Sequence, residues 1–348
     1  MHVITIYLIL SGFINVLFQK RFVKKYLAIV LGIILFIIAA LRSPNFGPDS
    51  QRYISAYESL KYLPMKYLWE NLIFGHGKDP FFDLFSKVVS SFGISSQIWL
   101  ACIAGFFSYS VTRLIYLESD DSYISFIVLI SLGYLFFSFT GLRQTLAISF
   151  VLFSYRYMKE RKLLPFLICL FFAYLFHATA LIFLIAYPFT KIKIGVKHIL
   201  IASIIFSLAF FQQSLVRQLV FLIGWTDNIS GYATRGNALT MSGFVIQLFV
   251  FVFCFIHQRA SFKVDFNRSI LLCLSFLGLS IQLFSSIIAE FFRISMYFSI
   301  FNILLIANTI STIKNVKYKI LVYYLVLFAL IGYIFWSQAF QGFSFYFS

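Results

Sequence analysis

Ten side chains in this sequence have the types and spacings that chemistry on a charged substrate requires. Arg42, Arg143, Arg235 and Arg293 are permanent planar cations whose paired N–H groups match the oxygens of a phosphate or diphosphate. Histidine as a residue type exchanges protons near neutral pH, so His177 is the first choice for a general base, with Glu290 and Asp49 as rivals. Arg52, Tyr53 and Gln144 lie beside these groups in the chain and are candidates for holding substrate. No metal site is expected. The four cysteines, Cys102, Cys169, Cys254 and Cys273, all sit within apolar stretches, and the acidic pair Asp120 and Asp121 reads as a solvated turn at 118–122. No Gly-rich phosphate loop and no ordered Ser-His-Asp set is present.

Each candidate has a plainer reading beside the chemical one. Arg293 is spaced to pair with Glu290 at i, i+3. Arg42 can snorkel to lipid headgroups. His177 can be a packed ring bonded to a backbone carbonyl. What favours chemistry is where the arginines gather, and that depends on the elements that carry them.

Those elements are membrane helices. Of the 348 residues 61% are hydrophobic and 11% charged, and Phe alone supplies 47. A soluble fold would expose apolar patches of a size that soluble proteins avoid. The mean hydropathy of +0.91 agrees. The apolar stretches are continuous rather than alternating, which predicts an all-α, polytopic helix bundle and not a barrel. They fall near 3–19, 26–41, 97–117, 123–139, 142–158, 163–190, 198–223, 241–257, 269–289, 291–310 and 319–340. Residues 1–19 lack a basic start and a small-residue cleavage site, so they read as a first span rather than a removed signal.

The net charge of +16 reads as loops held in the cytoplasm, not as a nucleic-acid surface. Five basic clusters do this work. They are Lys20 to Lys25, Arg156 to Lys162, Lys191 to Lys197, Arg259 to Arg268, and Lys314 to Lys319. All five reach the inner side only if the stretch 163–190 is broken in two. As one helix it would be about 42 Å long against a core of about 30 Å. His177 near its middle is costly there unless it meets water or a partner. The expectation is therefore about twelve membrane segments, with one broken pair at 163–190 and both termini outside.

On that topology Arg42, Arg52, Arg143, Arg217, Arg235 and Arg293 all lie at the outer face, where basic residues should be scarce. Their company there points to an anionic ligand. The chain reads as a single transmembrane domain, 1–348, with one large outer loop at 42–96 and a smaller one at 224–240. The large loop should carry a short amphipathic helix near 80–92, opened by Asp79-Pro80. Its aromatics (Phe46, Tyr53, Tyr57, Tyr62, Tyr67, Trp69, Phe74, Phe81 and Phe82) suit either an interfacial anchor or a platform for sugar rings.

Four segments carry a family resemblance. RSPNFGPDSQRY at 42–53 resembles the Arg-x-x-x-x-Gly-x-Asp-x-x-x-Tyr element after the second span of EpsG-type exopolysaccharide and Wzy-type O-antigen polymerases. It has one residue more between Gly47 and Asp49 than the tightest form. GLRQTLAISF at 141–150 is similar to their Arg-Gln-x-x-Ala helix start. Arg161-Lys162 followed by LFHATAL resembles their basic turn and Phe-His-x-Ser/Thr-Ala, with Thr179 where Ser is usual. FFRISMYF at 291–298 resembles their late Arg-x-x-x-Tyr-Phe element.

The resemblance implies a metal-independent glycosyltransferase without a cofactor. It would transfer an undecaprenyl-diphosphate-linked glycan onto the next lipid-linked repeat unit, at the outer face of the bacterial inner membrane. The product would be O-antigen, capsule or exopolysaccharide. Arg42, Arg143, Arg293 and Arg235 would hold the diphosphate, and Asp49 and Tyr53 would order the outer loop or touch sugar. The partners implied are the lipid-linked donor and acceptor, membrane lipid, a chain-length regulator and a flippase. Two other readings stay open. One is a lipid-linked oligosaccharide flippase, which calls for a polar route to both faces and internal repeats. The other is a glycosyltransferase using polyprenyl-monophosphate sugars, which calls for outer acidic residues beside a metal.

Overall fold

The computed structural model describes residues 2–17, 24–76, 79–215, 218, 238–260, 266–288, 290–337 and 339–346. Among these the chain is helical, and the one β-type contact is an isolated antiparallel bridge between Arg42 and Phe345. The described residues fall into two compact units, one of 1–181 with 314–348 and one of 182–313.

In the first unit α1 (His2–Leu17) and α2 (Lys24–Ala40) precede the loop 42–96. That loop is itself folded. It holds α3 (Ser50–Leu60), α4 (Met65–Phe74) and α5 (Pro80–Ser91), where a single helix was expected. α5 begins at Pro80, as the Asp79-Pro80 signal predicts, because proline's fixed φ suits a first turn. Leu60, Leu68 and Leu84 close a small apolar core between the three helices, with Leu63, Met65 and Leu72 packed around it. Residues far apart in one loop thus share one apolar cluster, and this turns the loop into a platform rather than a tether.

α6 (Ser96–Glu118), α7 (Ser122–Ser131), α8 (Tyr134–Thr140), α9 (Leu142–Lys159) and α10 (Leu163–Phe176) follow, and α17 (Val316–Ser337) returns to the same unit. α6 runs along α2, and α9 packs against both α6 and α10. The α2–α6 crossing is close, since a Cβ on Gly32 would run into Thr112 and one on Gly105 would press on Phe36. Asp121 caps α7 by accepting from the Ile124 N–H at 3.0 Å, so the acidic pair of this turn includes a helix cap. Lys159 pairs with Glu118 at 2.7 Å and ties the end of α9 to that of α6.

The stretch 163–190 is broken where its polar residue sits. α10 stops at Phe176, His177 is extended with φ −159° and ψ 114°, and a 3₁₀ helix (Ala178–Ile185) and α11 (Ala186–Phe189) follow. The second unit continues through α12 (Val196–Phe211), α13 (Ala238–Ala260), α14 (Phe266–Leu283), α15 (Glu290–Ser299) and α16 (Asn302–Ser311). α14 lies close along α15, because Gly278 leaves no room for a Cβ against the Ser299 backbone.

The expected count of about twelve segments is only partly met. Among the described residues three helices are long and apolar enough to cross a membrane: 96–118, 268–286 and 316–337. The bent pairs 122–131 with 134–140 (52°) and 290–299 with 302–311 (41°) raise this to five. Six further apolar helical stretches count 10–17 residues, among them 243–258 of the longer α13 (Ala238–Ala260). At 1.5 Å per residue even a 16-residue helix reaches about 24 Å, short of a core of about 30 Å. Apolar composition therefore identifies an integral membrane protein more securely than it counts crossings.

Candidate functional site

The first unit gathers a charged cluster from three places in the chain. Arg143 stands in the first turn of α9, Asp79 and Asp83 belong to the start of α5, and His177 is the break after α10. Asp79 Oδ2 lies 2.9 Å from His177 Nδ1 and 3.6 Å from Arg143 Nη1. Its other oxygen accepts the Ala178 N–H at 3.3 Å. Arg143 Nη2 donates to Asp83 Oδ1 at 3.1 Å.

Local sequence explains how each group comes to point there. An aspartate before a helix normally caps it with its own carboxylate. Asp79 does not, and it adopts φ 87°, a left-handed conformation that few non-glycine residues take. Its carboxylate is turned instead to His177 and Arg143. Strain of this kind persists where surrounding contacts overdetermine the position, and three partners do so here. His177 is set by an aromatic clamp. Phe81 and Phe85 of α5 meet Phe176 edge-on at 5.1 and 5.6 Å, and Phe150 of α9 stacks on Phe176 at 5.7 Å. The ring just before the break thus holds α5, α9 and α10 together. Arg143 lies over the face of Phe82 at 5.1 Å, and Tyr53 and Trp99 meet Phe82 edge-on at 6.0 and 5.9 Å.

Burial grades the cluster. The Asp79 side chain is 5% exposed, that of His177 11%, that of Arg143 21% and that of Asp83 33%. Burial raises the pKa of Asp83, opposed by the Arg143 charge and assisted by that of Asp79. Among the described residues no group of three or more His, Cys, Asp and Glu side chains is placed to hold a metal ion.

The arrangement can hold a neutral imidazole in one tautomer. With Nδ1–H donating to Asp79, the Nε2 lone pair is left to take a proton, and the carboxylate then stabilises the imidazolium formed. A guanidinium on the same carboxylate supplies positive charge beside the base.

The other expected residues have different surroundings. Arg42 is 1% exposed and donates to Phe46 O at 3.3 Å and to Ser50 Oγ at 3.4 Å, with its guanidinium 4.8 Å from the Phe139 ring. No carboxylate pairs with it among the described residues. Burial lowers its pKa to about 10, which still leaves it charged at neutral pH. The chain around it is tied to the C-terminal segment by Ser43 N–H to Ser344 O and Tyr346 N–H to Leu41 O, each at 2.8 Å. Gly47, at φ 106°, turns the loop toward α3. Asp49 precedes α3, Arg52 is exposed on it, and Tyr53 is the neighbour that reaches Phe82. Gln144 is buried next to Arg143. Glu290 and Arg293 open α15 in the second unit. Arg217 and Arg235 lie outside the described residues.

Asp79 and Asp83 were not among the expected site residues. The available signal was Asp79-Pro80 itself, read only as a helix start, and the i, i+4 spacing of the two carboxyls across the first turn of α5.

Comparisons with curated proteins and with solved structures find no match. The model of the EpsG family matches residues 25–347, a span that includes α2, the folded loop, the Asp79–Arg143–His177 cluster and the second unit. The chain belongs to the EpsG family, a Wzy-type polymerase family.

Proposed function

We propose that this protein is a polysaccharide polymerase of a bacterial inner membrane. Its substrate is an undecaprenyl-diphosphate-linked glycan, transferred onto another lipid-linked repeat unit at the outer face for O-antigen, capsule or exopolysaccharide. The observation that carries this reading is the meeting of His177, Asp79 and Arg143 at the break of an apolar helix, in a chain of this family.

In the proposed step an acceptor sugar hydroxyl attacks the anomeric carbon of the donor. The bond from that carbon to the diphosphate oxygen breaks, and the lipid diphosphate leaves with the electron pair. The hydroxyl proton passes to His177 Nε2, and Asp79 stabilises the resulting imidazolium. Arg143 faces the charge that develops on the leaving diphosphate. Asp79 is a positioning residue in this scheme. Phe82 is buried under the cation, and Tyr53, partly exposed beside Phe82, offers a ring to sugar. Arg42 is assigned to holding the loop that carries Asp49, Arg52 and Tyr53. Arg293 and Arg235 keep the expected role of diphosphate contacts, and Glu290 and Asp49 that of alternative bases, on sequence alone. The chain-length regulator and the flippase remain proposed partners on the same footing.

The glycan ladder of cells lacking the gene tests this, with complementation by wild type, Arg143→Ala, His177→Ala or Asp79→Asn and protein level checked. Single units in the null and in all three variants are the expected result. Long polymer in the null sinks the polymerase reading, and units trapped on the inner leaflet put a flippase in its place. The orientation has its own test. A cysteine at position 195, in a variant lacking the native cysteines, should resist an impermeant thiol reagent in intact cells.

A further inference from the structure

We propose that Asp83 is the specificity gate of the anion site: its carboxylate holds the place on Arg143 that the donor diphosphate takes, and so keeps singly charged phosphates out. The inference rests on the anion-site reading of Arg143 above. Arg143 spreads its two terminal nitrogens between two carboxylates, Nη1 to Asp79 and Nη2 to Asp83. Nη2 can take a phosphate oxygen at that position only if Asp83 leaves, while Nη1 keeps Asp79 and has a second N–H to offer. Asp79 is fixed by His177 Nδ1 and the Ala178 N–H, and its side chain is 5% exposed. Asp83 bonds to Arg143 alone among the described residues, and its side chain is 33% exposed. Asp83 is therefore the group that yields. Once released it remains in the first turn of α5, where the helix dipole favours a negative charge.

The bilayer supplies the reason for such a gate. A bare arginine at a membrane face meets phosphodiester headgroups in great excess over any lipid-linked sugar. One negative charge gains little by displacing a carboxylate of the same charge. A diphosphate carries more charge and offers both nitrogens an oxygen, so it can make the exchange. Specificity of this kind comes from a built-in competitor rather than from added attraction.

The test measures the affinity of the purified full-length protein, in neutral detergent, for farnesyl diphosphate and, by displacement, for phosphatidylglycerol, a phosphodiester with one negative charge. Wild type should prefer the diphosphate. Asp83→Asn should bind both more tightly, with the larger gain for phosphatidylglycerol, so that the preference for the diphosphate falls about tenfold. Asp83→Ser should behave the same way, which guards against a single variant that folds poorly. Unchanged or weaker binding in both variants overturns the gate. Arg143→Ala separates the two levels. If it loses diphosphate binding while the Asp83 variants change nothing, the gate alone is wrong. If it binds as wild type does, the anion site itself is wrong, and the gate with it.

Discussion

Arg42 and Arg143 were expected on one face with one task, and their surroundings are opposite. Arg42 is sealed at 1% exposure against Phe139, with a backbone carbonyl and a serine from its own loop as partners. Arg143 keeps 21% of its side chain exposed and faces two carboxylates delivered by another helix. In the reading proposed above Arg42 is a strut, because its partners are a carbonyl and a hydroxyl of its own loop. A half-buried cation held by carboxylates can trade one for an incoming anion. Residue type and membrane face did not distinguish the two, and the identity of their partners does.

The comparison would break most visibly at Arg143. Arg143→Ala should lower polymer formation at least about a hundredfold, the usual cost of removing one donor to a developing oxyanion. Arg143→Lys should recover little of it, because an ammonium is a point charge without the fork. The glycan ladder with matched protein levels reads both, and a fully active Arg143→Lys would remove the need for a bidentate grip. Asp79→Asn comes next, at about a hundredfold or more in transfer rate, because an amide in its place permits the wrong imidazole tautomer. Normal rates in a membrane-vesicle transfer assay would show that His177 needs no carboxylate.

Arg42 should answer in stability instead. Arg42→Ala should cost about 3 kcal/mol through the cavity it leaves. Arg42→Met fills the space without a buried charge and should retain most of the stability and make polymer. Thermal unfolding in detergent and the glycan ladder together check this pair. A stable but inactive Arg42→Met would erase the distinction drawn here.

The smallest effect belongs to Asp83. Burial raises its pKa, so its contribution to stability is complete below the ordinary carboxylate range and is lost as pH rises through the raised value. Asp83→Asn does not titrate. Its unfolding midpoint should therefore lie slightly above that of wild type at neutral pH, and the gap should close as the pH falls. A gap that widens toward acid would show that the Arg143 pair outweighs burial.

Some of the molecule was legible in residue order because local physics decides it. Continuous apolar stretches require membrane helices, since lipid cannot satisfy a free backbone. Pro80 starts α5 because its φ is already helical. Length and a polar ring in the middle of 163–190 foretold a break at His177, and the helix ends one residue before it. The four motif segments named the family that the match over 25–347 establishes.

Tertiary structure alone decided the rest. Asp79 lies 98 residues from His177 and Asp83 60 residues from Arg143, and no local periodicity joins them. They meet because Phe81, Phe85, Phe150 and Phe176 lock α5 onto α9 and α10. The helices α3 and α4 were hidden for the same reason. Their core of Leu60, Leu68 and Leu84 is assembled across a loop, not along one helix face. Whether an arginine becomes a strut or a site depends on which groups the folded chain brings to it, and spacing along the chain does not encode that.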